Sequence, residues 1–346
     1  MMNFLHSNFP PLKTNFQTFS EKFDELLYLS DKIQIASGYI TADSIAELNR
    51  IIVLNKKPKM DLVIGMHYFD GFTKKEYNAA VDFANYLIEN DMGCVYLSTA
   101  FKYHGKIYSF LKDNSPTIGI IGSNNLSSIT EYSRVYESSI LVEEQDANNQ
   151  MNYFINNLIK ISKPLLNCEI TRFKENNPLL NDHDGVNRID NFDVSKISLT
   201  STKFKIPLKA GEEHTKSNLN VFFGKGREDK RGLVKPRHWY EIELIVSKEI
   251  TSKKGYPGNN SSHIFNVVTD DGWKFQCKVS GDYNKNFRSE GDLKILGKWI
   301  KGRLENAGVL NVGSLVSNKT LSDYGRCDFD LIKTNQNDLW FLNFGV

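Results

Sequence analysis

The chain has 346 residues, of which 40% are hydrophobic and 24% charged, and its formal net charge is only +2. This composition is typical of a folded protein long enough for two domains, and it excludes a disordered chain. No apolar run reaches the roughly 20 residues of a membrane span, and the first residues lack a signal-peptide core, so we expect a cytoplasmic protein without membrane partners. The four cysteines form no C-x-x-C pair, which favours reduced thiols and no metal site.

Strand and helix patterns alternate over residues 1–165. Apolar residues at helical spacing predict helices near residues 20–30, 41–54, 73–90 and 146–161. Ser20 is the predicted N-cap of the first helix, and Thr41 or Asp43 that of the second. Short apolar runs predict strands at residues 33–40, 61–66, 93–98, 102–111, 117–122 and 136–143. Together these patterns predict an α/β domain built on a layered sheet.

The pattern changes after Pro164, which ends the last of these helices. Residues 166–196 are rich in Asn and Asp and lack apolar periodicity, so they predict a linker. Residues 197–346 contain one clear helical pattern, at 291–307, and many short strand-like runs, among them 240–246, 264–269, 273–279, 327–332 and 339–344. Short strands separated by turns are typical of a small barrel or open sandwich. The sequence therefore predicts an α/β domain at 1–165 and a mainly-β domain at 197–346.

Chemically capable residues lie in three neighbouring strand-like segments of the first domain. His104 and Lys106 are two residues apart, so both point to one face of a strand. The next strand ends in Gly-Ser-Asn-Asn at 122–125, and Glu137 begins the third. One face then gathers an imidazole, an ammonium, an amide and a carboxylate. These groups can attack a phosphodiester without a metal, with the imidazole as nucleophile, the lysine and asparagine stabilising charge, and the carboxylate orienting the histidine.

The order His-x-Lys followed by Gly-Ser-x-Asn resembles the signature of the phospholipase D superfamily. The resemblance implies that His104 is the covalent nucleophile and that Lys106 and Asn125 hold the phosphate. It further implies that Ser123 supports these two residues and that Glu137 orients the histidine. The alternative interpretation of His104 is a half-buried strand histidine beside a solvated lysine, and that of Glu137 is an ordinary surface carboxylate.

This chain departs from the superfamily pattern after the lysine, where many members have an aspartate. Leu111 occupies that place, with Asp113 two residues later, and restriction nucleases of the superfamily often lack the aspartate too. A second His-x-Lys begins at His214, but no Gly-Ser-x-Asn follows it, so we interpret it as unrelated. Superfamily enzymes use two motif copies, one histidine attacking and the other protonating the leaving oxygen. With one credible copy, the resemblance implies a homodimer that shares one site across its two-fold axis.

The second half carries the basic surface of the chain. Residues 201–300 hold 19 basic against 12 acidic side chains, including a cationic loop near 222–231 and a polar arm at 280–288. Each segment alone is typical of a solvated loop, but such side chains also contact phosphates and base edges. Together they predict contact with double-stranded DNA through Lys225, Arg227, Lys230, Arg231, Asn284, Lys285, Asn286 and Arg288.

Three motifs extend the resemblance to this half: Leu-Asn-x-x-x-Gly-x-Gly-Arg at 219–227, Thr-Asp-Asp-Gly at 269–272 and Asp-Tyr-Gly-Arg at 323–326. They resemble restriction endonucleases of the NgoFVII type, which join a phospholipase D nuclease to a pseudobarrel like the plant B-three DNA-binding domain. The resemblance implies two arms, near 222–231 and 280–289, that grip the major groove. Phe222 and Phe223 depart from the polar usage expected of the first arm. Arg326 is either a DNA-backbone contact or a structural ion-pair partner.

These observations predict a type II-like restriction endonuclease that acts without a cofactor, alongside a cognate DNA methyltransferase. His104 would form a phosphohistidine, and water would then release a 5′-phosphate end. One alternative is a subunit that depends on a separate helicase-like ATPase. The chain has no P-loop, so any dependence on ATP would come from that partner. Others are a nonspecific phosphodiesterase and a DNA-binding subunit with a silent nuclease site. A lipid-acting role is disfavoured, since the sequence offers no membrane-facing apolar surface.

Overall fold

The computed structural model of the chain describes residues 3–130, 135–176, 178–181, 183–258 and 263–346. Their contacts divide the chain into two compact units, residues 1–176 with 227–236, and residues 177–226 with 237–346. Residues 227–236 thus belong to the first unit, although they lie within the second predicted domain. In the described ranges no helix is long and apolar enough to cross a membrane.

The first unit is built on one eight-stranded sheet. Its strands are β1 (Asn3–His6), β2 (Lys32–Ser37), β3 (Lys59–Ile64), β5 (Gly93–Leu97), β6 (Lys106–Lys112), β7 (Ser115–Gly122), β8 (Ser138–Val142) and β9 (Lys163–Pro164). Two further strands, β4 (Phe72–Thr73) and β10 (Phe173–Lys174), form a separate pair. The helices are α1 (Phe19–Leu29), α2 (Ala42–Asn55), α3 (His67–Asp70), α4 (Lys74–Glu89) and α5 (Gln145–Ile161). The strand order is β1-β8-β7-β6-β2-β3-β5-β9. In this sheet β2, β3 and β5 run parallel to one another, and the separate pair β4 and β10 is also parallel.

Threonine N-caps fix where three helices of this unit begin. Thr18, Thr41 and Thr73 each accept a hydrogen bond from the backbone three residues on, and that residue's side chain bonds back to the cap. Of the two predicted caps for α2, Thr41 is therefore confirmed. The predicted cap of α1 is wrong, because Ser20 lies inside the helix and its hydroxyl donates to the carbonyl of Ile129.

The core of this unit covers both faces of the central parallel strands. Strand β2 places Ala36 and β3 places Val63 against Ile155 and Leu158 of α5. Burial on both faces explains why these strands are continuous apolar runs rather than alternating ones. Because β2 and β3 are parallel, their carboxyl ends meet at one edge of the sheet.

The second unit is mainly β. Its strands are β11 (Asn187–Arg188), β12 (Leu199–Pro207), β15 (Leu244–Ile245), β16 (His263–Thr269), β17 (Trp273–Ser280), β18 (Asn286–Ser289), β19 (Asp328–Thr334) and β20 (Leu339–Asn343). The strands β13 (Arg227–Glu228) and β14 (Val234–Lys235) pair with each other and belong to the first unit. The helices are α6 (Asn191–Ser195), α7 (Lys248–Thr251), α8 (Lys294–Asn306) and α9 (Asn318–Tyr324). One sheet runs β12-β19-β20-β16-β17-β18-β15, with β11 also on β17. The predicted strand at 240–246 shrinks to two residues, because Trp239 and Tyr240 instead pack into the core and bond Glu305.

The described residues of the predicted linker make regular contacts. Strand β10 pairs with β4 in the first unit, and β11 pairs with β17 in the second. Polar sequences such as Asn187–Arg188 can pair through their backbones alone, which leaves no apolar pattern to detect. The predicted domain limits stay a prediction.

Candidate active site

The candidate site lies where β2 and β3 end, beside the start of β6. Two glycines let the chain pass closely there. A Cβ atom on Gly65 would lie 1.9 Å from the Tyr103 carbonyl oxygen, and one on Gly38 would lie 3.1 Å from Cδ2 of His104. The segment that carries His104 therefore lies directly on the ends of the two parallel strands.

His104 is exposed and precedes β6, so its predicted place within a strand is wrong. The backbone N–H of Tyr103 donates to the Gly65 carbonyl at 3.2 Å, which draws this segment away from the β2–β6 ladder. The His104 carbonyl accepts a 2.8 Å hydrogen bond from Nζ of Lys106. His104 and Lys106 are thus joined through this backbone contact rather than through a shared strand face.

Lys106 is the first residue of β6, pairs with Ser37 of β2 and is buried. Burial lowers the pKa of its ammonium, and the negative charge of Glu137 acts against that shift. A partly desolvated cation interacts strongly with any anion that approaches, because little water screens it. This is the environment in which a lysine can stabilise phosphate charge.

The Gly-Ser-Asn-Asn segment after β7 contributes two differently placed side chains. Oδ1 of Asn125 accepts from the backbone N–H of Tyr39 at 3.1 Å. Since a backbone N–H needs an acceptor, this contact places Oδ1 rather than the Nδ2 donor on the Tyr39 side of the amide. The Ser123 hydroxyl is instead bonded to the Ser138 backbone, donating to its carbonyl at 3.2 Å and accepting from its N–H at 3.0 Å. Ser123 thus links the segment to β8 through two hydrogen bonds.

Glu137 is held by its backbone at the entry to β8. Its N–H donates to the Ser7 hydroxyl at 2.9 Å, and its carbonyl accepts from the Ser7 N–H at 3.1 Å. The carboxylate acts on Lys106 through its charge. The hydrogen bonds found among the described residues include none between Glu137 and His104, so the orienting role stays a prediction. Nor do those residues contain a cluster of three or more His, Cys, Asp or Glu side chains able to hold a metal.

Tyr39 and His67 also belong to the site, although no sequence motif marks them. The Tyr39 ring contacts the His104 ring edge-on, with 5.6 Å between centroids, and the His67 ring at 5.5 Å. His67 is buried, stacks on Phe72 and accepts the Ile40 N–H at Nε2, 3.1 Å away. A signal was present: each follows a parallel strand by a few residues, after a glycine, where ligand-binding loops of α/β sheets lie.

The predicted first DNA-binding arm is divided between the two units. Lys225 is an exposed residue of the second unit, whereas Arg227, Lys230 and Arg231 are exposed on the β13–β14 segment of the first. Arg231 forms an ion pair with Glu25 of α1 at 3.4 Å.

Other side chains of this arm and its flanks pack into the protein. Lys235 pairs with Asp24 at 2.6 Å, and Asn55 of α2 bonds both backbone groups of Val234. Phe222 packs edge-on against Trp239 in the core, which explains its departure from polar usage.

The predicted second arm is a short loop between β17 and β18. Asn286 and Arg288 belong to β18, while Asn284 donates to the Gly258 carbonyl at 3.2 Å and so anchors the loop. Lys285 is partly exposed and lies 3.6 Å from Asp282. Tyr283, which was not among the predicted DNA contacts, is 63% exposed at the tip of the loop in the left-handed backbone region.

Two further motif residues have structural surroundings. Arg326 pairs with Asp330 at 2.5 Å and donates to the Gly345 carbonyl at 2.9 Å, which supports the structural alternative for this arginine. His214 ends a 3₁₀ turn of the second unit, whereas the residues of the candidate site come from the first.

Comparison with protein families matches both parts of the chain. Residues 17–174 match the N-terminal phospholipase D domain of NgoFVII restriction endonuclease, and residues 194–335 match the NgoFVII C-terminal B3-like DNA-binding domain. The chain belongs to the NgoFVII family of restriction endonucleases. It is therefore a deoxyribonuclease with an α/β phospholipase D-like domain and a mainly-β DNA-binding domain, which confirms the predicted fold class.

Comparison with solved structures gives matches of low identity over about half of this chain. NucT from Helicobacter pylori is 13% identical over 47% of this chain and 99% of its own, with a TM-score of 0.33. Nuc from Salmonella typhimurium, a phospholipase D family member, is 14% identical over 47% and 97%, with a TM-score of 0.34. Phosphatidylserine synthase from Haemophilus influenzae Rd KW20 is 14% identical over 47% and 39%, with a TM-score of 0.35. Comparison with curated protein sequences gives no match.

The buried His67 makes the stability of the site pH-dependent. Burial lowers its pKa below the ordinary 6.5, with the charge of Glu76 opposing and that of Lys174 reinforcing the shift. Between the lowered pKa and 6.5 the unfolded chain binds a proton that the folded chain does not, so this residue costs stability as the pH falls below 6.5. In His67→Gln, an amide oxygen replaces Nε2 as acceptor for Ile40 and does not titrate.

We therefore expect the Tm of His67→Gln to fall less than that of the wild type between about pH 7.5 and about pH 5.5. Thermal unfolding followed by circular dichroism at the two pH values measures this difference. The comparison cancels the contribution of the other titrating groups, which both proteins share. Equal decreases of Tm in the two proteins would contradict the assignment.

Proposed function

We propose that this deoxyribonuclease is a type II-like restriction endonuclease that binds a specific double-stranded DNA sequence and cleaves it without a metal ion. One observation carries the proposal: the exposed His104 and the buried Lys106 are joined by a hydrogen bond from the ammonium to the His104 carbonyl. The amide of Asn125 accepts the N–H of Tyr39, the residue whose ring contacts the His104 ring. Together these groups supply a nucleophile and two donors for a phosphate. The B3-like domain on the same chain supports sequence-specific binding.

In the proposed reaction, His104 attacks the phosphorus and the bond to the 3′ oxygen breaks. The leaving 3′ oxygen takes a proton from a second His104, and the 5′ phosphate stays on the first as a phosphohistidine. Water, deprotonated by the second histidine, then breaks the phosphorus–nitrogen bond and leaves a 5′-phosphate and a 3′-hydroxyl. Lys106 and Asn125 offset the charge that develops on the non-bridging oxygens. Glu137 keeps the histidine in the correct tautomer.

The second histidine is proposed to come from a second copy of the chain. His104 is exposed on a single chain, which suits a site that a partner copy completes. We propose a cytoplasmic homodimer that acts beside a cognate DNA methyltransferase. Three other functions remain distinguishable by experiment: a nuclease subunit that requires a helicase-like ATPase, a nonspecific phosphodiesterase, and a DNA-binding subunit with a silent nuclease site.

Cleavage in excess EDTA tests the proposal. The purified protein is incubated with a large plasmid of diverse sequence, beside His104→Ala and the matched control His214→Ala, which alters the second His-x-Lys. We expect discrete fragments with the wild type and with His214→Ala, and at least about a 1,000-fold loss with His104→Ala, since covalent catalysis then lacks its nucleophile.

The remaining outcomes separate the alternatives. A smear in place of discrete fragments would support the nonspecific phosphodiesterase. Intact DNA that is nevertheless shifted in a gel would support a silent or partner-dependent subunit. Cutting by His104→Ala at the wild-type rate would overturn the proposed chemistry.

The shared site makes a quantitative prediction about mixed dimers. When wild-type and His104→Ala chains are co-expressed in known ratio, activity should fall as the square of the wild-type fraction, because each site needs two intact histidines. Light scattering should give the mass of a dimer. A linear fall in activity, or a monomeric mass at working concentration, would contradict the composite site.

The DNA-binding role of the two loops can be tested through the salt dependence of binding. Lys230→Ala removes an exposed cation and Lys285→Ala a partly exposed one. The slope of the logarithm of the DNA-binding constant against the logarithm of the salt concentration should fall by about 0.9 for each phosphate that the protein no longer neutralises. Lys59→Ala is the control, since this half-exposed lysine lies at the opposite end of β3 from the site. Gel shifts at several salt concentrations measure the slopes, and unchanged slopes would exclude these lysines as phosphate ligands.

A further inference from the structure

Tyr39 occupies an unusual position between the two histidines of the candidate site. Its ring meets the His104 ring at an interplanar angle of 78° and the His67 ring at the same angle. Edge-on contact between rings is the favourable geometry, with the positive edge of one directed at the face of the other. The exposed imidazole of His104 is thus bounded on one side by the Tyr39 ring, which we call the wall of the site.

Both ends of Tyr39 are fixed. Its backbone N–H donates to Oδ1 of Asn125, and its phenol donates to Oδ2 of Asp70 at 2.5 Å. The other oxygen of Asp70 accepts from Nζ of Lys102 at 2.9 Å, so the carboxylate is itself held. The phenol lowers the pKa of Asp70, and Lys102 lowers it further, so the carboxylate stays ionised at neutral pH. The chain of contacts Lys102–Asp70–Tyr39 ends on the nucleophile.

We propose that Tyr39 is a positioning residue, which fixes the angle of the His104 ring and the direction of the Asn125 amide and is anchored by Asp70. The inference rests on the proposed function of His104 as nucleophile. A histidine in an exposed loop rotates about two side-chain torsions, and most of its orientations do not aim a ring nitrogen at phosphorus. Because misplacement by about 1 Å can cost 100-fold in rate, a rigid wall beside the ring has a large effect.

Cleavage kinetics separate the ring of Tyr39 from its hydroxyl. Tyr39→Leu removes the wall, and we expect its single-turnover rate on bound DNA to fall between about 10-fold and 100-fold. Tyr39→Phe keeps the wall and removes only the anchor, so it should restore the rate to within about 10-fold of the wild type. The DNA affinity of both should stay within about twofold, because neither change alters a group proposed to bind a base or a phosphate. Tyr153→Phe, on the exposed face of α5, is the matched control.

A double-mutant cycle tests the anchor. Asp70→Ala releases the phenol as Tyr39→Phe does, so the rate of the double variant should equal that of either single variant rather than the product of their effects. Additive effects would mean that Asp70 acts independently of Tyr39. A wild-type rate for Tyr39→Leu, or a decrease in DNA affinity equal to its decrease in rate, would overturn the positioning role.

A spectroscopic test is independent of cleavage. With ¹³C-labelled histidine, the His104 ring signal is assigned by its absence from His104→Ala. The ring current of Tyr39 should shift this signal, so Tyr39→Leu should move it and Tyr39→Phe should leave it nearly in place. An unmoved signal in Tyr39→Leu would overturn the contact. If the wild type does not cut DNA but the signal moves as expected, the proposed function fails while the contact is retained.

Discussion

The site depends on the close approach of one loop backbone to the ends of two buried strands. Gly65 allows the Tyr103 carbonyl to lie where a side chain would otherwise be. The contact at Gly38 is tight but less restrictive, since a Cβ there would lie 3.1 Å from the His104 ring. A clash with a carbonyl oxygen cannot be relieved by rotating a side chain, so any other residue at 65 would displace the loop. Since β2 and β3 are buried on both faces, this contact gives the exposed His104, the proposed nucleophile, a rigid support.

The position of Lys106 at the same edge of the sheet also determines the electrostatic environment of its ammonium. Lys106 is buried because it begins the strand that pairs with the end of β2, and its pKa is lowered as a result. Its ammonium is bonded to the His104 carbonyl, which satisfies only part of its donor capacity. A desolvated cation with donors to spare binds best to a group that becomes more negative, as a phosphate does during attack. Burial of Lys106 therefore costs stability in the resting protein, and in the proposed reaction it favours the transition state.

The sequence predicts features that depend on residues close together in the chain, and it does not predict contacts between residues that only folding brings together. The alternation of strands and helices is readable because buried parallel strands are continuously apolar. The candidate catalytic motif is detectable as a pattern because its residues lie within 34 positions, and its role stays a prediction. The prediction that His104 lies in a strand is wrong because side chains alternate with a period of two only where the strand is paired. The hydrogen bond from Tyr103 to the Gly65 carbonyl takes the residues before Lys106 out of that pairing. The bond from Tyr39 to Asp70 joins residues 31 positions apart in loops without a motif. No local pattern could indicate it.

Counting cations in the sequence overstates how many of them are available to contact DNA, although some remain available. Arg231 and Lys285 are each partly exposed and each lie near a carboxylate. Exposed pairs of this kind contribute only about 0–1 kcal/mol, so a phosphate can replace the carboxylate at little cost. Lys235 differs, because its partner Asp24 is mostly buried and burial raises the pKa of that carboxyl even against the lysine charge. Removing the lysine from such a pair leaves a desolvated carboxylate, so Lys235 holds the loop while its exposed neighbours stay exchangeable.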